Sequence, residues 1–243
     1  MKVINDLLNY NGMKIVQDNE YFNFSLDSVL LPNFVTLNKG IKKVLDLGTG
    51  NAPIPLILST LTNAKLYGIE LQKEIYDLAI ESIELNHLTN RITIINDNMK
   101  NLANYFLLNS FDAIVSNPPY FRLNEKSNLN ENIQKTIARH EKEIKLNEII
   151  EIAKKFLNNN GVFAMVHRTD RLIEIIELFR QNNIEPKKIQ LIYPKEGCES
   201  NMVLIEGRKN GNPGLKILPP LIVHEENGEY KEEIKKLFST KEK

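Results

Sequence analysis

Five short apolar runs, each followed by a longer stretch with helical spacing, limit this chain to one kind of architecture. They are residues 42–47 (KKVLDL), 66–70 (LYGIE), 92–96 (ITIIN), 111–116 (FDAIVS) and 161–166 (GVFAMV). A strand with one wet face alternates polar and apolar residues, whereas near-continuous apolarity over strand length suits a sheet covered on both faces. The spacing predicts helices over 54–59, 72–85, 99–108, 146–157 and 171–181. In the second of these, Ile75, Leu78, Ala79, Ser82, Ile83 and Asn86 step by three and four, which lines one helix face. Strand and helix in alternation give an α/β fold with a doubly wound, mostly parallel sheet. After Pro186, residues 188–193 and 201–206 (NMVLIE) read as two further strands joined by the turn-like PKEGCES. This pair makes the sheet seven-stranded, and its terminal strand is expected antiparallel, closing one edge.

The 243 residues amount to about 1.6 typical domains, enough to bury a core without staples. A single domain is expected: a cap over 1–39, a catalytic core over 40–211 and an extension over 212–243. Residues 121–143 (FRLNEKSNLNENIQKTIARHEKE) are polar, Asn-rich and longer than an ordinary loop, which marks them as functional or mobile. Thirty-one Lys and Arg balance 31 Asp and Glu, so a nucleic acid partner has to meet a local basic patch, not a basic protein. The lone Cys198 excludes an internal disulfide and any multi-thiolate zinc site and fits a reducing compartment. No stretch approaches the ~18 apolar residues of a membrane span, and no leader is recognisable, so a cytoplasmic protein is expected.

The first chemical feature is VLDLGTGNAPIP, residues 44–55, where the first strand turns into the first helix. Gly48 and Gly50 allow a tight turn and close approach of a ligand. A nicotinamide-binding fingerprint needs a third glycine where Pro53 stands, and a phosphate loop needs a Gly-Lys-Ser/Thr that is absent. Asp46 just before the turn would repel phosphate and instead suits a ligand with a cationic amine. The next two strands end at or near Glu70 and Asp97. In an open α/β sheet, ligands bind outside the carboxyl ends of the strands, so the turn and the three acids converge on one crevice. Glu70 can take a pair of ribose hydroxyls and Asp97 an adenine amine; the alternative is that both acids cap the helices that follow.

SNPPY, residues 116–120, follows the fourth strand. Pro118 and Pro119 remove two donors and fix φ, which leaves carbonyls and the Asn117 side chain as rigid acceptors at the ligand edge. An exocyclic nucleobase amine could give its hydrogens to the Asn117 oxygen and the Pro118 carbonyl while the Tyr120 ring stacks on the base. Taken alone, this is also how a Pro-Pro turn ends a strand.

The order of glycine turn, acid, acid and NPPY resembles the Rossmann-like class I methyltransferases that use S-adenosylmethionine, among them the amino-methylating group with an Asn-Pro-Pro-aromatic motif. The resemblance covers residues 42–207. FNFSLDSVLL (22–31), ARHE (138–141) and NMVLIEGRKNG (201–211) are similar to the bacterial tRNA adenine-N6 methyltransferases that modify adenosine 37, next to the anticodon of a valine tRNA. The resemblance implies that Asp46, Gly48 and Gly50 hold the methionine moiety of S-adenosylmethionine, Glu70 its ribose and Asp97 its adenine. Asn117, Pro118 and Tyr120 would be the catalytic residues that hold the target base. One departure is Ala52, where the family's turn often carries glycine; alanine there calls for a negative φ.

A base in RNA has to be extruded to meet a methyl donor, which requires contacts outside the pocket. Arg122, Lys126, Lys135, Arg139 and His140 in the long segment, with Arg208 and Lys209 after the last strand, are the candidates for tRNA phosphates; interleaved glutamates make a merely solvated loop the alternative. No metal is expected, since HEKEI lacks the second histidine of a zinc site, and the oligomeric state is open, with a monomer expected. Competing readings are an rRNA guanine-N2 methyltransferase, a protein glutamine N5-methyltransferase and a noncatalytic RNA-binding module with a vestigial fold.

Overall fold

Parallel strands joined by helices leave both sheet faces to be covered, and the computed structural model of the chain is built this way. It describes residues 1–8, 10, 12–21, 24–118 and 144–239. In chain order the elements are β1 (Lys2–Asp6), β2 (Lys14–Asp18), α1 (Asp27–Phe34), β3 (Lys43–Leu47), α2 (Pro53–Leu61), β4 (Lys65–Glu70), α3 (Lys73–Leu85), β5 (Ile92–Asn96), a 3-10 helix (Met99–Asn104) and β6 (Phe111–Ser116). Then come α4 (Leu146–Phe156), β7 (Leu157–Arg168), α5 (Leu172–Gln181), β8 (Ile184–Lys195), β9 (Met202–Lys209), β10 (Lys216–Ile217), β11 (Leu221–His224) and α6 (Glu232–Lys235).

The large sheet runs β10-β8-β9-β7-β6-β3-β4-β5, with β11 also on β8. From β7 across to β5 the strands are parallel. The seven expected strands are present, and the antiparallel one is β9, inserted between β7 and β8. The pair β8 and β9 does not close the sheet, because β10 and β11 lie in succession along the outer side of β8. Pro186 sits at a β-bulge, where a strand tolerates a residue without an N–H. Side chains alternate between two apolar layers: Val44 packs with α1, α2 and α3, and Leu45 and Leu47 pack with α4 and α5. On α3 the buried residues are Ile75, Leu78, Ala79, Ser82 and Ile83, the face that the spacing predicted.

The predicted helix over 99–108 is only the short 3-10 helix, started by Asn98, whose side chain accepts the Lys100 N–H at 2.9 Å. Leu102 is its one buried residue, and Leu107 and Leu108 are exposed. Asn109 and Ser110 donate instead to the carbonyls of Lys155 and Phe156 at the end of α4, which draws the chain straight into β6.

Residues before β3 form the antiparallel hairpin β1–β2 and α1. The hairpin docks on α3 through polar bonds: Ser82 Oγ accepts the Val16 N–H at 2.9 Å, and Asn86 bonds both the N–H and the carbonyl of Lys14. The far end of α1 is tied to the sheet by Lys188, whose ammonium meets Glu206 at 3.1 Å, the Phe34 carbonyl and the Thr36 hydroxyl. At the C-terminal end, Tyr230 stacks on His224 and meets the Phe238 ring edge-on, and Tyr10 donates its hydroxyl to the Leu237 carbonyl. No described helix is long and apolar enough to cross a membrane.

Candidate active site

Register decides which residues meet. Leu47 of β3 pairs with Ile69 of β4 and with Ser116 of β6, and Glu70 of β4 pairs with Asn96 of β5. Four parallel strands therefore end level, and the residues that follow them, Gly48, Leu71, Asp97 and Asn117, emerge side by side at one sheet edge. Ser116 Oγ donates to the Leu47 carbonyl at 3.0 Å and pins the end of β6 to that of β3.

The glycine turn is fixed by its neighbours. The N–H groups of Gly48 and Thr49 both donate to the Ile69 carbonyl, and Gly48 and Gly50 have φ of 73° and 59°, which a side chain would oppose. Asn51 donates to the Val16 carbonyl at 2.9 Å, so the hairpin buttresses the turn. The expectation for Ala52 is corrected: its φ is 68°, in the left-handed region. Ala52 is fully buried as the residue before Pro53, whose fixed φ starts α2.

Asp46 is buried under this turn, with one carboxylate oxygen accepting the Thr49 hydroxyl at 2.8 Å. Its other oxygen, Oδ1, is buried with no hydrogen-bond partner. Burial, with Glu70 nearby, pushes its pKa up to about 7, against the smaller opposing effect of Thr49. Glu70, also buried, accepts the N–H of Gly50 at 3.0 Å and that of Gln72 at 2.9 Å, so its carboxylate links two strand-end turns. Asp97 accepts from the Asn98 N–H, the Asn101 amide and the Tyr105 hydroxyl, and the two side-chain bonds hold its pKa below the usual range. Toward the helices that follow, the N–H groups that the two acids accept belong to Gln72 and Asn98, the residues just ahead of the first turns, and the side-chain cap of the 3-10 helix comes from Asn98. Gly48, Glu70, Asp97, Met99 and Ile144 line a narrow cleft of about 30 Å³.

Asn117 is half-buried, its amide nitrogen 3.4 Å from Ser28 Oγ at the start of α1, and Pro118 is buried. Tyr120, Arg122, Lys126, Lys135, Arg139 and His140 lie outside the described residues.

Arg208 and Lys209 are not at this site. Because β9 is antiparallel, it starts level with Arg168 at the site edge and ends level with Val162 at the opposite edge. There Arg208 donates to the Asn160 carbonyl. Lys209 is buried, its three hydrogens directed to Asn109 and to the carbonyls of Lys154 and Leu157.

A family model described as a methyltransferase domain matches residues 38–236, most of the chain. The chain belongs to the methyltransferase-domain family. Among relatives of this methyltransferase, a Flavobacterium psychrophilum protein named tRNA1(Val) (adenine(37)-N6)-methyltransferase is 24% identical over 217 residues, 82% of this chain and 91% of its own. A protein of the same name from Parabacteroides distasonis is 27% identical over 182 residues, 74% of each chain. The crystal structure of a predicted O-methyltransferase from Agrobacterium tumefaciens shares the fold, with a TM-score of 0.69 at 18% identity over 87% of this chain and 95% of that one.

The methyltransferase also places at this edge residues that sequence reasoning passed over. His167 is buried near the end of β7, its Nδ1 accepting the Arg168 N–H, and burial, with Arg171 adding to it, pushes its pKa down to about 4. Lys145 and Arg171 lie beside it on a second cavity that reaches Pro118. The rule that found the acids, residues just past the carboxyl ends of strands, also marks His167 and Arg168. Among the described residues, no group of three or more His, Cys, Asp or Glu could hold a metal ion.

Proposed function

We propose that the protein transfers a methyl group from S-adenosylmethionine to the exocyclic N6 amine of adenosine 37 in a valine tRNA, in the cytoplasm. The observation that carries this reading is the buried, unpartnered Oδ1 of Asp46 beneath the glycine turn, one strand away from the Asn117-Pro118 acceptors. A buried acceptor without a donor costs stability unless a ligand supplies one, and the ammonium of the methionine moiety is such a donor. The names of the tRNA-modifying relatives supply the substrate.

In this reading Asp46, Gly48 and Gly50 hold the methionine moiety, and Glu70 holds the ribose hydroxyls. Asp97 accepts the cofactor's adenine amine on the wall of the cleft. The bound cofactor supplies an electrophilic methyl group on a sulfonium. The side-chain oxygen of Asn117 and the Pro118 carbonyl accept the two hydrogens of the target amine, which leaves the nitrogen lone pair facing the cleft. Their acceptance strengthens as that nitrogen gains positive charge, so they stabilise the transition state more than the bound amine. Ser28, placed on the amide nitrogen of Asn117, orients the opposite, oxygen edge toward the substrate. Tyr120, outside the described residues, keeps only the role that the family resemblance gives it, stacking on the base. The cap over 1–39, the core over 40–211 and the extension over 212–243 act as one domain, since Leu7, Val44 and Ile234 share one apolar layer.

The test is mass-spectrometric nucleoside analysis of tRNA incubated with the purified protein and S-adenosylmethionine carrying a labelled methyl group. Label in N6-methyladenosine is the expected result. No label in any tRNA nucleoside, with cofactor bound, would refute the substrate; failure to bind cofactor would refute the enzyme.

A further inference from the structure

The larger of the two cavities touches the proposed target-amine acceptors only at Pro118 and extends away from them between α4 and α5. It is an open cavity of about 460 Å³, against about 30 Å³ for the cofactor cleft, and the two meet at Ile144. Among the described residues its walls include Pro118, one of the two proposed acceptors, Leu146 and Ile149 from α4, and Leu178 from α5. Such walls suit a planar apolar face more than an ion.

Its charged groups are set for the same kind of guest. Arg171 and Glu174 form a fork pair, with Nε at 2.8 Å from Oε2 and Nη2 directed to Oε1. That pair uses one edge of the guanidinium and fixes its plane, leaving the flat face and the Nη1 hydrogens for other contacts. Lys145 is exposed where α4 begins, and its ammonium adds a positive charge at the rim.

We propose that this cavity is a second nucleotide subsite, in which the nucleotide next to the methylated adenosine stacks its base on the Arg171 guanidinium and sets its phosphate toward Lys145. The inference rests on the proposed tRNA substrate and adds what that reading lacks, a place for the neighbour that loses its stacking partner. Extruding one base from a loop costs a stacking contact on each side. An arginine plane in an apolar pocket replaces one of them, as it does in other single-stranded RNA sites. The site also takes over part of the RNA-binding role that Arg208 and Lys209 cannot fill from the far edge.

The test uses the full-length protein with S-adenosylmethionine and a fluorescent hairpin carrying the anticodon arm of the valine tRNA. Turnover and the direct Kd for the hairpin are measured for the wild type, Arg171→Ala, Arg171→Lys and Arg208→Ala. Both Arg171 variants are expected to raise KM and Kd about 10- to 100-fold, with kcat unchanged. Unchanged affinity for S-adenosylmethionine certifies that each variant is folded, and Arg208→Ala behaves as wild type. An abasic site at one neighbour of the methylated position gives the same loss in the wild type and no further loss in Arg171→Ala. Full affinity in Arg171→Lys, or losses that multiply, would overturn the subsite. A defect confined to kcat would also overturn it, by placing Arg171 in the pocket of the target base. Because Kd is read without chemistry, a hairpin that binds through Arg171 but is not methylated sinks the proposed reaction and leaves the subsite standing. If neither hairpin nor whole tRNA binds, both fall.

Discussion

At the scale of single residues, Asp46 makes the methyltransferase pH-sensitive in two ways. Its folded-state pKa of about 7 lies above its ordinary value of 3.8, so between these values the folded chain holds a proton that the unfolded chain has released. Its contribution to stability is therefore complete at the acid end of that window and declines as pH rises toward 7. Under the proposed assignment of Asp46 to the cofactor's ammonium, cofactor binding is expected to have the opposite dependence, because an ammonium needs the carboxylate. Affinity for S-adenosylmethionine is expected to rise about tenfold per pH unit up to about 7 and then level off, with one proton released on binding. Calorimetry in buffers of different ionisation enthalpy measures this, and Asp46→Asn should remove the slope. Asn117 divides the labour differently. Asn117→Ala is expected to lower kcat by about 100-fold or more while cofactor affinity survives; lost cofactor binding would contradict the assignment. The position of Asp46, Glu70, Asp97 and Asn117 at one sheet edge was legible in the sequence because each stands within the last two residues of an apolar run or just after it, and the sheet topology turns that position into a shared edge. The left-handed φ of Ala52 was not legible, since a glycine in relatives signals the conformation only where the glycine is kept.

At the scale of elements, α1 is a strut between the sheet and the catalytic turn. One end carries Ser28 against Asn117, and the other is held by Lys188 and Glu206, with Glu206 also accepting the Thr36 N–H at 2.7 Å. Glu206→Ala leaves Lys188 nearly buried without its counter-charge and is expected to cost about 3 kcal/mol in urea unfolding. Glu206→Gln keeps an acceptor for Thr36 and should cost less. If α1 positions Asn117, Glu206→Ala also lowers kcat more than it weakens cofactor binding. The core strands could be read from sequence because burial on both faces leaves an unbroken apolar run. The hairpin β1–β2 could not: β1 is largely exposed, and β2 buries Ile15, Val16 and Gln17 in succession while Ser82 and Asn86 bond its backbone, so neither strand shows a two-residue hydrophobic period. Arg208 and Lys209 were misplaced for a different reason. They end a strand, as Glu70 does, but that strand runs the other way.

At the scale of the whole molecule, residues near both ends of the described chain pack into the core that carries the candidate site. Ile234 is fully buried in the same apolar layer as Leu7, Tyr10 and Val44, and Leu237 receives the Tyr10 hydroxyl. Ile234→Ala is expected to cost about 2–4 kcal/mol while thermal unfolding keeps a single transition; two transitions would show that the C-terminal extension unfolds separately. The insertion of β9 between β7 and β8 also dictates an order of assembly. On a ribosome the five parallel strands can pair as they emerge, but β8 finds its sheet partners only in β9, β10 and β11, all made after it. Until residues 202–209 are released, β7 and β8 both present open edges to any passing strand. The interval between making β8 and making β9 is therefore when a nascent chain of this enzyme is most exposed to misassembly.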